Sequence, residues 1–166
     1  WDEYILDRTI GLQFLIAKSQ EIFGRNMFSA YLPTTAAAIL MLFITYKLHE
    51  ELFNKEYAII SPLILATTYL WFDYSHLATQ DIIYSCLVTI GVFSLVKIKS
   101  KDDKYYILLF GIWIGLSFML KTFLVFVPLL SLLPCMYIKK KFIFRKFFWL
   151  GLLIGFIPYL FWALSI

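Results

Sequence analysis

Six long stretches of this chain carry no charged residue, and the charges gather in the short segments between them. The uncharged stretches are Asn26–Tyr46, Tyr57–Phe72, Ile82–Val96, Tyr105–Leu120, Thr122–Ile138 and Phe147–Ile166. A bilayer core of about 30 Å takes roughly 20 apolar residues in a helix. Several stretches sit near the lower limit, and lysines or aromatic residues at their ends extend them by snorkelling. The pattern predicts an all-α, polytopic membrane protein with about six transmembrane helices. Their expected positions are residues 31–47, 57–72, 81–98, 104–120, 122–138 and 147–166. Only Lys121 separates the fourth from the fifth, so a tight turn is expected there.

Composition agrees. The chain is 61% hydrophobic and 16% charged, against about 45–50% and 25% for soluble domains. That excludes a disordered or collagen-like chain. The net charge of +4 does not indicate a nucleic-acid partner, because basic residues in so apolar a chain mark the loops of a membrane protein. The partner implied is the lipid bilayer. Cys86 and Cys135 lie within apolar runs and read as small packing residues. No Walker loop, dinucleotide fingerprint, HExxH or CxxC appears, so no nucleotide cofactor is expected.

The lysines set a topology. The loops after the first, third and fifth spans hold Lys47, Lys55, Lys97, Lys99, Lys101, Lys104, Lys139, Lys140, Lys141, Arg145 and Lys146. These are eleven of the fifteen basic residues. The opposite side holds Arg8, Lys18, Arg25 and Lys121. The positive-inside rule makes the first side cytoplasmic and residues 1–30 external. Nothing in Trp1–Arg25 resembles a signal peptide. An upstream segment is therefore expected to carry it across, and the chain is expected to be a fragment, inactive alone.

Gly11–Phe23 predicts an amphipathic helix along the outer interface, with Leu12, Leu15, Ile16, Ile22 and Phe23 on its apolar side. Gly24 would end it. The pairs Gly111/Gly115 and Gly151/Gly155 have GxxxG spacing and read as helix-packing sites. Pro128, Pro134 and Pro158 imply kinks within spans. Three external positions carry candidate chemistry: Asp7-Arg8, Asp81 with the nearby His76, and Lys121. Ionisable groups near a membrane are costly and tend to be functional. Each also has a structural reading. Asp81 suits a helix N-terminus, Lys121 could be a snorkelling anchor, and His76 could be a solvated loop residue.

The order of these features resembles a known family. Leu6-Asp7-Arg8-Thr9-Ile10-Gly11-Leu12, then Ile22-Phe23-Gly24, then Phe28-Ser29-Ala30-Tyr31-Leu32-Pro33 is similar to the "L-[DE]-K-P-P-L … L-F-G … A-x-R-L-P" stretch of polyprenyl-phosphate-sugar-dependent glycosyltransferases. These are the protein mannosyltransferase-like and aminoarabinose-transferase-like enzymes of GT-C architecture. Ser75-His76-Leu77-Ala78-Thr79-Gln80-Asp81 resembles their "[SA]-x-x-A-x-x-D", and Gly115-Leu116-Ser117-Phe118-Met119-Leu120-Lys121 their "G-L-A-x-L-T-K". The departures are Arg8 for lysine, Thr9-Ile10 for Pro-Pro, and Thr122 where the family usually has glycine. Asp2-Glu3 lies too close to Asp7 to be the family's first acidic motif.

The resemblance implies a hexosyl or pentosyl transferase in the plasma membrane. It would move a sugar from a polyprenyl-phosphate donor to a protein, lipid or glycan acceptor on the extracytoplasmic face. Departure of a polyprenyl phosphate needs nearby positive charge. Arg8 and Lys121 are the candidates for donor phosphate binding. Asp81 is the candidate catalytic carboxylate, and His76 is placed near the site. Asp7 could help hold a divalent metal cation, since carboxylates suit hard ions. The resemblance implies a further acid upstream of Trp1. Two other readings remain: a transporter or lipid flippase fragment, which predicts polar groups in mid-span, and a non-catalytic membrane subunit.

Overall fold

The computed structural model describes residues 11–99 and 103–164. Among them every regular element is helical. Helix α1 spans Gly11–Phe23, α2 Met27–Leu52, α3 Ile60–Thr67, α4 Tyr69–Ser75, α5 Gln80–Lys97, α6 Lys104–Lys121, α7 Phe126–Ile138 and α8 Lys146–Leu164. Four helical stretches are long and apolar enough to cross a membrane: Met27–Leu52, Gln80–Lys97, Lys104–Ile138 and Lys146–Leu164. The protein is an all-α polytopic membrane protein.

Local chemistry explains the boundaries. Gly24 ends α1 with a φ of 79°, a conformation in which a side chain would be strained. Asn26 caps α2: its side-chain oxygen accepts from Ser29 N at 2.8 Å, and Ser29 Oγ accepts from Asn26 N at 3.2 Å. This reciprocal box satisfies two donors that the first turn leaves free. Thr68 adopts an extended conformation between α3 and α4. Its hydroxyl and that of Thr67 donate back to the carbonyls of Ile64 and Leu63, the local bonding by which threonine competes with a continuous helix. The 57–72 segment, expected as one span, is therefore two short helices in series.

The arms alternate in direction. Lys97 Nζ lies 2.5 Å from Glu51 Oε2, so α2 and α5 end together. Lys139 Nζ donates to the carbonyls of Leu95 and Val96 at 2.7 and 3.0 Å, so α7 ends there too. At the other end Tyr84 Oη donates to Leu124 O at 2.9 Å. Hence α7 runs parallel to α5, and the stretch Lys104–Ile138 folds back on itself. The reversal falls at Thr122, whose φ is 40°, followed by a 3-10 turn over Thr122–Val125. The described basic residues of the expected inner loops thus share one end of the bundle, and Asp81, Lys121 and α1 the other.

Helix α8 packs along α6 through the two glycine pairs. A Cβ on Gly111 would stand 2.5 Å from Phe148 O, and one on Gly155 2.5 Å from Ile112 O. No side chain fits at that backbone separation. Below this contact Phe110, Trp113, Ile107, Leu95, Ile98, Phe142 and Phe148 form the buried core.

Helix α1 divides its apolar side between protein and surface. Leu12 is buried against Ile83, Tyr84 and Leu120, with Ile16 packed beside it. Leu15, Ile22 and Phe23 are exposed, as is Phe14. Only a narrow stripe of the apolar side meets protein. Sequence periodicity marks the apolar side of a helix without distinguishing protein from lipid as its neighbour.

Candidate functional site

Two of the site residues singled out in the sequence meet. Lys121 Nζ lies 2.6 Å from Asp81 Oδ1. Asp81 stands in the first turn of α5 and Lys121 in the last turn of α6. Each charge is therefore at the helix end whose partial charge favours it. The carboxylate side chain is 50% exposed and the ammonium 28%. The pair is open enough to be reached by a ligand, and the Lys121 side chain is the more covered of the two.

The turn that carries Lys121 is held from α5. Tyr84, one helical turn after Asp81, ties its hydroxyl to Leu124 O. Residues three apart share a helix face, so one face of α5 fixes both ends of the segment 121–124. Between them lies Thr122 at a φ of 40° and ψ of −104°, a sparsely populated conformation that costs about 1–3 kcal/mol. The glycine usual in the resembling family at this place takes that conformation freely. Tyr84 was not legible as a site residue; its helical spacing from Asp81 is the only sequence signal for it.

An apolar groove of about 270 Å³ lies between α1, α5, α6 and α8. Phe14 and Leu15 form one wall, Ile83 and Leu87 another, and Leu116, Met119, Leu120 and Pro158 the rest. Leu120 joins the groove directly to Lys121. Gly11 closes on this point: a Cβ there would lie 2.7 Å from Leu120 Cδ2.

His76 is not tied to the pair. It caps α4, its Nδ1 lies 3.0 Å from Ser75 Oγ, and its ring meets Phe72 edge-on at 4.8 Å. Asp7 and Arg8 lie outside the described residues. Among the described residues no three His, Cys, Asp or Glu side chains gather as a metal site would need.

The charge placement bears on the competing readings. The described ion pairs between helices stand at helix ends, Asp81–Lys121 at one and Glu51–Lys97 with Glu51–Lys99 at the other. A transport pathway would place such groups near mid-span.

A family profile described as dolichyl-phosphate-mannose-protein mannosyltransferase matches residues 7–162. That is nearly the whole chain, so it defines the class: a membrane glycosyltransferase. This chain belongs to the dolichyl-phosphate-mannose-protein mannosyltransferase family. No curated protein and no solved structure matches it.

Proposed function

We propose that this chain carries the donor side of a transferase site that takes a sugar from a polyprenyl-phosphate lipid at the extracytoplasmic face. The observation that carries the reading is the Asp81–Lys121 pair, next in sequence to Leu120, which lines an apolar groove. A lipid phosphate needs a cation at the interface and an apolar path for its chain, and these lie one residue apart. Leu116, Met119 and Leu120 would pack against the first isoprene units.

In the reaction the acceptor hydroxyl attacks the anomeric carbon. The bond from that carbon to the phosphate oxygen breaks, and polyprenyl phosphate leaves with its electron pair. Lys121 turns from Asp81 to the phosphate and offsets the charge that develops there. Arg8 would add a second, bidentate contact. Release of Lys121 frees the Asp81 carboxylate to accept a hydrogen bond from the acceptor hydroxyl and orient it. The proton of the acceptor hydroxyl passes to a carboxylate base.

Substitution separates these roles. With the complete protein in detergent, Lys121→Met should weaken binding of a polyprenyl phosphate by about tenfold or more, the worth of one charge-assisted hydrogen bond. Asp81→Asn should bind the same lipid and fail to transfer sugar. Unchanged lipid affinity in Lys121→Met, with the helical content intact, overturns the donor assignment.

A further inference from the structure

The end of the bundle opposite Asp81 and Lys121 is strongly basic, and its cations divide into two groups. The acids of α2 occupy one group. Glu51 pairs with Lys97 and Lys99, and Glu50 pairs with Lys47 at 2.7 Å. Lys139 is also taken, since its ammonium covers the carbonyls that end α5, where burial lowers its pKa. The second group is Lys104, Lys140, Lys141, Arg145 and Lys146. None of these five makes an ion pair with any described residue.

These cations are held in place. Phe142, at the centre of the turn between α7 and α8, is 2% exposed and packs edge-on against Phe110 at 5.5 Å and Phe148 at 5.8 Å. The turn is thus pinned to the core, with Lys140 and Lys141 before the pin and Arg145 and Lys146 after it. Lys104 joins from α6, its ammonium 5.7 Å from the Phe147 ring centre. Lys140 stands 5.3 Å from the Tyr137 ring centre. Cations of one sign gathered on one short turn gain from an anion laid across them.

The surroundings select the kind of anion. Phe144 is 84% exposed and Ile138 80%, and Tyr137, Tyr105 and Trp149 are exposed beside them. A soluble polyanion would leave these apolar side chains in water. The interface of a bilayer receives both parts: aromatic and aliphatic side chains enter the acyl boundary while the cations remain among the headgroups. We infer that the α7–α8 turn, with Lys104, is a binding surface for anionic lipid headgroups. Phe142 acts as its anchor, and Phe144 inserts between lipids. The surface is separate from the Asp81–Lys121 site and does not depend on the transfer reaction.

Lipid retention tests this. The full chain is purified in a nonionic detergent, offered phosphatidylglycerol or phosphatidylcholine, and the lipid retained per protein is measured after gel filtration. The wild-type protein should hold phosphatidylglycerol in excess. Its affinity should fall about fivefold for each cation removed, following the attraction of one basic residue to an anionic surface. The excess should vanish in Lys140→Gln/Lys141→Gln/Arg145→Gln/Lys146→Gln and persist in Lys18→Gln, which alters a cation at the other end. It should also vanish for wild-type protein when salt shortens the Debye length to about 3 Å. If the fourfold variant fails to fold, Lys141→Gln and the salt titration decide. Equal retention of the two lipids by wild-type protein overturns the inference. So does a salt-insensitive excess, or an undiminished one in a folded variant.

Discussion

Lys121 meets Asp81 across the ends of two antiparallel helices, and three residues further on Leu124 meets Tyr84. Both contacts join residues forty positions apart. The constant offset means that segment 121–124 runs alongside 81–84 in the same direction, which is the start of the α7 arm against α5. The turn that bears the cation is therefore built by the helix that bears the carboxylate. An ion pair this exposed contributes only about 0.2–1 kcal/mol. Asp81→Asn should accordingly lower the unfolding free energy by less than about 1 kcal/mol while abolishing transfer. Thermal unfolding in detergent beside a turnover assay checks this, and a large loss of stability would make the pair a structural pin.

Tyr84→Phe tests the second brace. It removes one hydrogen bond to the Leu124 carbonyl, which keeps its bond from the Phe126 N–H. The expected cost is about 0.5–1.5 kcal/mol, the net worth of one hydrogen bond. Because the bond steadies the Lys121 turn, affinity for a polyprenyl phosphate should fall as well. If affinity holds while stability drops, Tyr84 serves the fold alone.

The all-α polytopic class was legible because long apolar runs report bilayer physics directly. The contacts within the site were not. Asp81 and Lys121 could each be marked as a charge at a membrane edge, but nothing local says that two residues forty apart touch. That follows from the antiparallel course of α5 and α6, and the reversal at Thr122 then lays the second arm along α5. The break at Thr68 was hidden for a similar reason: hydropathy counts apolar residues and does not register two adjacent threonines bonding back to the preceding turn. The glycine pairs were legible as packing sites. Their partners, each pair against the other, became apparent only from the parallel course of α6 and α8.

Thr122 offers a stabilising change. Glycine adopts its φ of 40° without strain, while flexibility in the unfolded chain returns part of the gain. Thr122→Gly should raise stability by about 1 kcal/mol. An unfolding midpoint unchanged or lowered would show that the threonine side chain repays its backbone cost through contacts.

The α6–α8 contact should tolerate nothing larger than glycine. At Gly155 an added methyl would meet Ile112 O at 2.5 Å, and backbone cannot yield as a flexible side chain does. Gly155→Ala should cost about 1–3 kcal/mol, the usual range for overpacking. Gly155→Leu should separate the helices and lower expression in the membrane. Gly24→Ala is the contrasting case. It has open space around its Cβ, so only its backbone conformation opposes the change, and about 1–2 kcal/mol is expected.

Sidedness follows from the two ends of the bundle. If the basic end is cytoplasmic, as the positive-inside rule requires, then Arg25 and Lys141 face opposite compartments. Cys86 is buried and Cys135 exposed, so Cys135→Ser provides a background with little intrinsic labelling. In that background Arg25→Cys should react with a membrane-impermeant maleimide on intact cells. Lys141→Cys should react only after the membrane is opened. The reverse pattern would put the Asp81–Lys121 pair on the cytoplasmic side. The sugar donor would then have to be presented from the cytoplasmic leaflet, and the proposed extracytoplasmic reaction would fall.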